Sequence, residues 1–348
     1  MAITLTCLTD LARHGFDDII DVRAPTEYAE DHLPGAISLP VLDDAERARV
    51  GTIYKQVAPF TARKVGAALV ARNAAAHLEG ALADKPGGWR PLVYCWRGGQ
   101  RSGSFASILT QIGWRVETIA GGYKAWRALV LRELGEVPIR APLRVLDGNT
   151  GSAKTELLHH LQQRNVQVID LEAMAGHRGS LFGAKGAQPS QRMFEGCLAH
   201  ALAALDPARP VVVEAESSKI GECRIPPVLW QAMCAAPRIE VVAPRAERAA
   251  YLARTYTDLV ADPARLIGVI ARLRPYHPAE RIADWIRLAE RGNFVELAEG
   301  LMQAHYDPRY AKHRARTQVL RNELPVDSLS PAAIAEVADR LTAMVDAT

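Results

Sequence analysis

The stretch Tyr94-Cys95-Trp96-Arg97-Gly98-Gly99-Gln100-Arg101-Ser102-Gly103 follows a short apolar run, Pro91 to Tyr94, and leads into a helical pattern that starts near Ser102. The run predicts a buried strand. A cysteine at a strand end, then a glycine loop, then a helix start, makes a cradle for an anion. The N–H groups of Trp96, Arg97, Gly98, Gly99 and Gln100 can point inward, and the helix dipole adds partial positive charge. The same field lowers a thiol pKa, so Cys95 is expected to be partly or largely thiolate. Arg101 adds a fixed charge with a fork suited to tetrahedral oxyanions. Cys95 and Arg101 are thus candidate catalytic residues, and Trp96 to Gln100 a candidate phosphate-binding loop. A free cysteine is more often a small buried hydrophobe. Strand, glycines, arginine and helix together outweigh that reading.

Working outward, Ile19-Ile20-Asp21-Val22-Arg23 predicts a strand, and Thr26-Glu27-Tyr28 opens a short helix. His32 to Ile37 turns into another strand, and Gly121-Gly122-Tyr123-Lys124-Ala125-Trp126-Arg127 is a turn leading into an amphipathic helix. With the Cys95 loop, these segments resemble the rhodanese (sulfurtransferase) domain, over residues 1–135. That resemblance implies a parallel sheet with helices on both faces. Asp21 and Arg23 are expected to be structural, since buried charges of this kind pair and tie loops together. The loop from Cys95 to Arg101 is C-x5-R, a residue longer than in common single-domain sulfurtransferases and equal to that of rhodanese-like phosphatases. A longer loop suits a phosphate-like group better than a bare sulfur atom. Between the signatures, Asp43 to Leu78 is helical, with Lys55 read as a solvated lysine, and Lys85 to Trp89 loops back to the active-site strand.

Residues 136–142, with Pro138 and Pro142, form a linker to a second domain over 143–245. Leu143 to Leu146 is a strand. It ends in Asp147-Gly148-Asn149-Thr150-Gly151-Ser152-Ala153-Lys154-Thr155, and Glu156 begins a helix. This is a P-loop in which Ala153 replaces the glycine before the lysine. Gly148, Thr150, Gly151, Ser152, Ala153, Lys154 and Thr155 are the candidate phosphate site, with Lys154 reaching the outer oxygens. Ala153 either crowds that approach or demands a different loop path. Val166 to Glu172, Pro210 to Glu214 and Ile239 to Val242 are further strands. The turn-rich segments between them carry candidate substrate-binding residues: His177, Arg178, Ser180, Gln188, Ser190 and Ser217. Either Glu214 or Glu216 is placed where a P-loop fold keeps its metal-side or water-side carboxylate. Residues 246–348 read as a helical region packed on the P-loop domain. There Tyr306, Arg309, Lys312, Arg314 and Arg316 interleave aromatics with cations, which suits an RNA backbone and unstacked bases.

The totals bound the rest. The chain has 348 residues, 49% hydrophobic and 23% charged, the balance of a soluble globular protein large enough for two domains. No apolar run approaches membrane-spanning length and no signal peptide opens the chain, so no membrane association is expected. Cys7, Cys95, Cys197, Cys223 and Cys234 are scattered without CxxC or zinc-ligand spacing. This predicts no disulfide framework, no metal site and a cytoplasmic location. The net charge of +3 does not announce nucleic acid, so an RNA site has to be a local patch.

Segments along nearly the whole chain resemble one family, tRNA 2-selenouridine synthase. They are CWRGGQRS at Cys95, GNTGSAKT at Gly148, DLEAMAGHRGSLFG at Asp170, QPSQ at Gln188, VEAESSKIG at Val213 and YDPRY at Tyr306. Ala153, Ala215 and Lys219 depart from the family pattern. The resemblance implies two steps on tRNA bearing wobble 2-thiouridine: S-geranylation from geranyl diphosphate, then displacement of the geranylthio group by selenium from selenophosphate. The P-loop would take the diphosphate. The Cys95 loop would take selenophosphate, with the thiolate accepting selenium as a Cys–S–Se species. No tightly bound cofactor is implied, and Mg²⁺ on the Thr155 hydroxyl is compatible with the loop. Two other classes stay open: a rhodanese-like phosphatase or sulfurtransferase fused to a kinase-like P-loop domain, and a non-catalytic RNA-binding protein.

Overall fold

Each half of the chain builds a five-stranded parallel sheet around one central strand that is buried along its whole length. The computed structural model describes all residues except Lys185, 315–318 and Thr348, and the side chain of His313. Arg316, one of the candidate RNA contacts, lies outside the described residues. Packing divides the chain into two units, Met1–Val137 with Pro189–Ala204, and Pro138–Gln188 with Leu205–Thr348.

In the first unit the strands are β1 (Ala2–Ile3), β2 (Asp18–Asp21), β3 (Ala36–Ser38), β4 (Pro91–Tyr94) and β5 (Glu117–Ile119), in the order β1-β5-β4-β2-β3. β4 lies at the centre and is buried along its whole length, as a strand covered on both faces must be. Behind it the chain turns directly into the helix Gln100–Ile112. Asp21 and Arg23 form the buried pair expected of them, Arg23 Nη2 to Asp21 Oδ2 at 2.6 Å. Tyr94 donates to the same carboxylate at 2.8 Å, so β2 and β4 are tied at the level of the cradle.

The second unit's sheet contains β6 (Leu143–Gly148), β7 (Gln167–Ile169), β8 (Val211–Glu214), β11 (Arg238–Val242) and β12 (Arg321–Pro325), in the order β12-β11-β6-β8-β7. A two-stranded ribbon, β9 (Lys219–Ile220) and β10 (Cys223–Arg224), follows β8. The central strand β6 opens into the P-loop at its C-terminal end, and the helix Lys154–Gln163 follows. Among the described residues no helix is long and apolar enough to cross a membrane.

Both halves are therefore α/β with parallel sheets, as the sequence implies, and the C-terminal region is mainly helical. Three details differ from the expectation. Pro189–Ala204 packs with the first unit, although its sequence position falls within 143–245. Its helix, Gln191–Ala203, lies against the helix Gly122–Gly135. Gly196 permits this, since a Cβ there would stand 2.8 Å from the Trp126 ring. Next, β12 is a strand inside the region read as helical. Third, the strand expected over Val166–Glu172 ends at Ile169, because Asp170 accepts from the Ala173 N–H at 2.7 Å and caps a short helix.

Candidate functional site

Each unit carries one glycine loop between a strand and a helix, and the candidate residues gather at these two loops. In the first unit Cys95 sits at the end of β4 and is only 4% exposed. The fully buried Ser102 hydroxyl donates to its Sγ at 3.2 Å. Burial pushes the thiol up. The Ser102 hydroxyl and N–H, the Arg101 charge and the Gly99 N–H outweigh it, and the thiol lies below its ordinary value. The loop is clamped from below by the Gly121–Gly122 turn. The Tyr123 N–H donates to the Cys95 carbonyl at 2.9 Å and the Lys124 N–H to the Trp96 carbonyl at 3.0 Å. A Cβ on Gly122 would lie 2.2 Å from the Cys95 carbonyl oxygen, so only glycine permits this approach. Trp96 stacks on Tyr123, while Arg97, Gly99 and Gln100 are exposed at the rim and Gly98 is half-buried.

Arg101 departs from its expected role. Its fork does not stand free for a tetrahedral anion: Nη1 donates to Glu27 Oε2 at 2.7 Å, and Arg47 joins the same carboxylate at 3.0 Å. Arg101 therefore holds the first helix turn and biases Cys95 through space, as a paired cation.

In the second unit the P-loop residues wrap the floor of a cavity of about 640 Å³. Lys154 Nζ donates to the Gly148 carbonyl at 2.8 Å, folded along the loop. Burial works against its charge, but Tyr310, Glu172, Glu216 and Asp147 more than compensate, so its pKa is raised and it stays cationic. Ala153 takes the left-handed conformation at φ 59°, the region that favours glycine. The loop thus keeps a glycine-type path, and the Ala153 methyl joins the buried cluster with Leu157 and Leu158. Opposite Lys154, Thr155 Oγ1 donates to Glu172 Oε2 at 3.0 Å. Burial first, and then Glu172, push Glu216 up to about 8.

Glu216 lines this cavity with Arg178, Ser180 and Ser217. Glu214 is 2% exposed and accepts from the Glu172 N–H at 2.6 Å, so it positions Glu172. Burial raises Glu214 well above the carboxylate range. His177 is placed by its own N–H on the Glu172 carbonyl and does not line the cavity. Two candidate substrate contacts are corrected. Gln188 bonds the Ala175 and Ile220 carbonyls and the Glu222 N–H, which ties the β9–β10 ribbon in place. Ser190 accepts from the Met193 N–H and caps its helix within the first unit. Gln188 and Ser190, two positions apart in QPSQ, thus serve different units.

The C-terminal cluster turns out to be mostly wall. Tyr306, Arg309, Tyr310 and Arg314 line the P-loop cavity. Arg314 pairs with Glu240 at 2.8 Å and bonds Asn149. Lys312 and Arg309 are exposed, and Arg309 lies over the Tyr276 ring.

Family models match the tRNA 2-selenouridine synthase AAA domain over residues 141–268 and the rhodanese-like domain over 4–129. A tRNA 2-selenouridine synthase of Aeromonas salmonicida is 40% identical, covering 72% of this chain and 68% of the relative. The synthase of Pseudomonas syringae pv. tomato is 34% identical, covering 88% and 92%. The chain belongs to the tRNA 2-selenouridine synthase family. It is an enzyme of that type.

The YDPRY segment gains a physical meaning here. Asp307 accepts both arms of Arg248, at 3.0 and 2.9 Å, and the Asn149 amide at 3.1 Å. Arg248 also donates to the Thr150 carbonyl at 3.1 Å, so this helix start is fastened to the P-loop of the synthase fold. The π-helical turn Met302–Tyr306 just before it aims Met302 and Tyr306 at a second cavity. That cavity is almost wholly apolar, with Phe182, Leu259, Leu266, Phe294, Leu297 and Leu301 in its walls. It shares Thr150, Ser180, Leu252, Tyr256 and Tyr306 with the P-loop cavity. Tyr256, Arg248 and most of the apolar wall escape a sequence reading. Asp307 lies inside YDPRY, and Glu172 and Phe182 lie inside DLEAMAGHRGSLFG, but neither segment tells what these side chains contact.

Proposed function

We propose that this enzyme replaces sulfur by selenium in the wobble 2-thiouridine of tRNA, by way of S-geranyl-2-thiouridine. In the first step the thiocarbonyl sulfur attacks C1 of geranyl diphosphate. The C–S bond forms as the C–O bond breaks, and diphosphate leaves onto the P-loop. In the second step the selenium of selenophosphate bonds to C2 of the uracil as the C–S bond breaks and geranylthiol leaves; water then splits the P–Se bond and phosphate departs, with the Cys95 loop holding the selenium donor.

The observation that supports this reading is the apolar cavity that opens from the P-loop cavity. A nucleotide's base and ribose want polar partners, whereas the walls here offer Phe182, Leu266, Phe294 and Leu301. A diphosphate carrying a hydrocarbon chain matches one charged and one apolar compartment. The growing charge on the leaving diphosphate falls to Lys154 and the loop N–H groups. Thr155 Oγ1 and the Glu172 carboxylate, which bond one another at 3.0 Å, are the groups that would hold a Mg²⁺ ion to share that charge. Glu216, protonated near neutral pH, does not repel the anion.

Nucleoside mass spectrometry of tRNA from cells with and without the protein, grown with selenite, tests the reading. Loss of 2-selenouridine is expected in the deletion, and accumulation of S-geranyl-2-thiouridine with Cys95→Ala. Unchanged 2-selenouridine in the deletion strain would overturn it.

A further inference from the structure

Of the C-terminal cations, Arg309 and Arg314 line the P-loop cavity, and a second group of cations stands on the surface of the first unit. Residues 47–78 hold Arg47, Arg49, Lys55, Arg63, Lys64 and Arg72 and no Asp or Glu. This segment covers most of an antiparallel helical hairpin in the first unit, Asp44–Gln56 and Pro59–Glu79. Arg47 is paired with Glu27. Arg49, Lys55, Arg63 and Lys64 are exposed, and none of them makes an ion pair among the described residues. At the turn of the hairpin stand Tyr54, 57% exposed, and Phe60, 64% exposed, with Lys64 over the Phe60 ring. The second helix of the hairpin packs on Gln100–Ile112, with His77 edge-on to Phe105. That is the helix whose start forms the Cys95 cradle.

We propose that this hairpin tip is a tRNA-docking surface, with Arg49, Lys55, Arg63 and Lys64 on phosphates and Tyr54 and Phe60 against unstacked bases. The proposal rests on the reading that tRNA is the substrate. Sign uniformity favours a polyanion. A surface built for a folded protein mixes both charges around its apolar centre, whereas no carboxylate interrupts this one. Exposed aromatics beside cations add the stacking that single-stranded loops of RNA offer. The hairpin packs on the helix of the Cys95 cradle, so tRNA bound there is held on the unit that carries Cys95.

The test uses the full-length chain and unmodified tRNA, with affinity measured by fluorescence anisotropy over a range of salt. The variant with Arg49→Ala, Lys55→Ala, Arg63→Ala and Lys64→Ala is expected to bind roughly ten- to a hundredfold more weakly. Its salt dependence should be shallower by about one unit for each phosphate that is no longer neutralised. Tyr54→Ala with Phe60→Ala should weaken binding roughly tenfold with the salt slope kept. Circular dichroism checks that both variants are folded, as exposed positions allow. A control with Arg115→Ala and Arg140→Ala should match the wild type. If both hairpin variants bind tRNA within about twofold of the wild type, which itself binds well, the docking proposal is wrong and the tRNA reading stands. If the same aromatic variant instead splits a dimer, the face belongs to self-association and the proposal is again wrong. A wild type that does not bind tRNA removes both readings.

Discussion

Glu27 holds Arg101 at 2.7 Å, so the cation of the C-x5-R loop meets the Cys95 thiol already paired. Burial raises Glu27, but Arg101, the Ala24 N–H and Arg47 prevail and keep it anionic. The thiol therefore feels a dipole of two charges where an unpaired arginine would act alone. Glu27→Gln should drop the Cys95 pKa further, and Ser102→Ala should raise it by removing the hydrogen bond to Sγ. The pH dependence of Cys95 alkylation reads both. Profiles that move in the opposite directions, or not at all, would show that the thiol is set by something other than these neighbours.

Lys154→Ala removes the charge proposed above to stabilise the leaving diphosphate. Loss of one such electrostatic stabiliser costs about a hundred- to a thousandfold in rate. Geranylation should collapse by that factor. Selenation of tRNA that already bears S-geranyl-2-thiouridine should continue when selenophosphate is supplied. A mutant that geranylates normally and fails at the second step would mean that the two anion sites are assigned in reverse.

Ala153 at φ 59° carries the strain of a side chain in the left-handed region. Ala153→Gly should relieve it, against the extra chain entropy of glycine, for a net gain of about 0.5–1 kcal/mol. Urea unfolding midpoints measure the gain. Binding of geranyl diphosphate should stay equal or tighten. A destabilised glycine variant would mean that the methyl's packing against Leu157 and Leu158 outweighs the strain.

Glu216, raised to about 8 in the fold, binds its proton more tightly than the unfolded chain does. Its contribution to stability is complete below the ordinary glutamate value of 4.5 and is lost as pH rises through 8. Glu216→Gln keeps the neutral shape and should flatten this fall. Stability curves of the two proteins, taken by denaturant at several pH values, should diverge toward alkaline pH with the variant the more stable. Parallel curves would show that the fold does not hold Glu216 protonated.

What was legible in the sequence was local. The Cys95 loop and the P-loop each lie within one turn of chain between a strand and a helix, so their residues announce one another. The rest depends on distant partners. Nothing near Arg101 points to Glu27, and Gln188 and Ser190 look alike in QPSQ until one ties a ribbon and the other caps a helix. β12 was hidden because Arg321-Asn322-Glu323-Leu324-Pro325 holds a single buried apolar residue; its pairing with β11 is made by backbone. The apolar cavity was hidden for the opposite reason. Phe182, Leu266 and Phe294 come from separate segments, and each reads as ordinary core.

The helix Gln191–Ala203 belongs to the first unit but is encoded after β6 and β7 of the second. On the ribosome, then, the N-terminal part cannot reach its finished state when residue 137 emerges. It waits, with Trp126 uncovered, until Ala204 has cleared the exit tunnel, several seconds later at about 5–20 residues per second. By that time β6 and β7 are already outside and lack β8, their common neighbour. The two halves are born interleaved, and a gene cut at the apparent boundary would yield a first piece missing the helix that closes it.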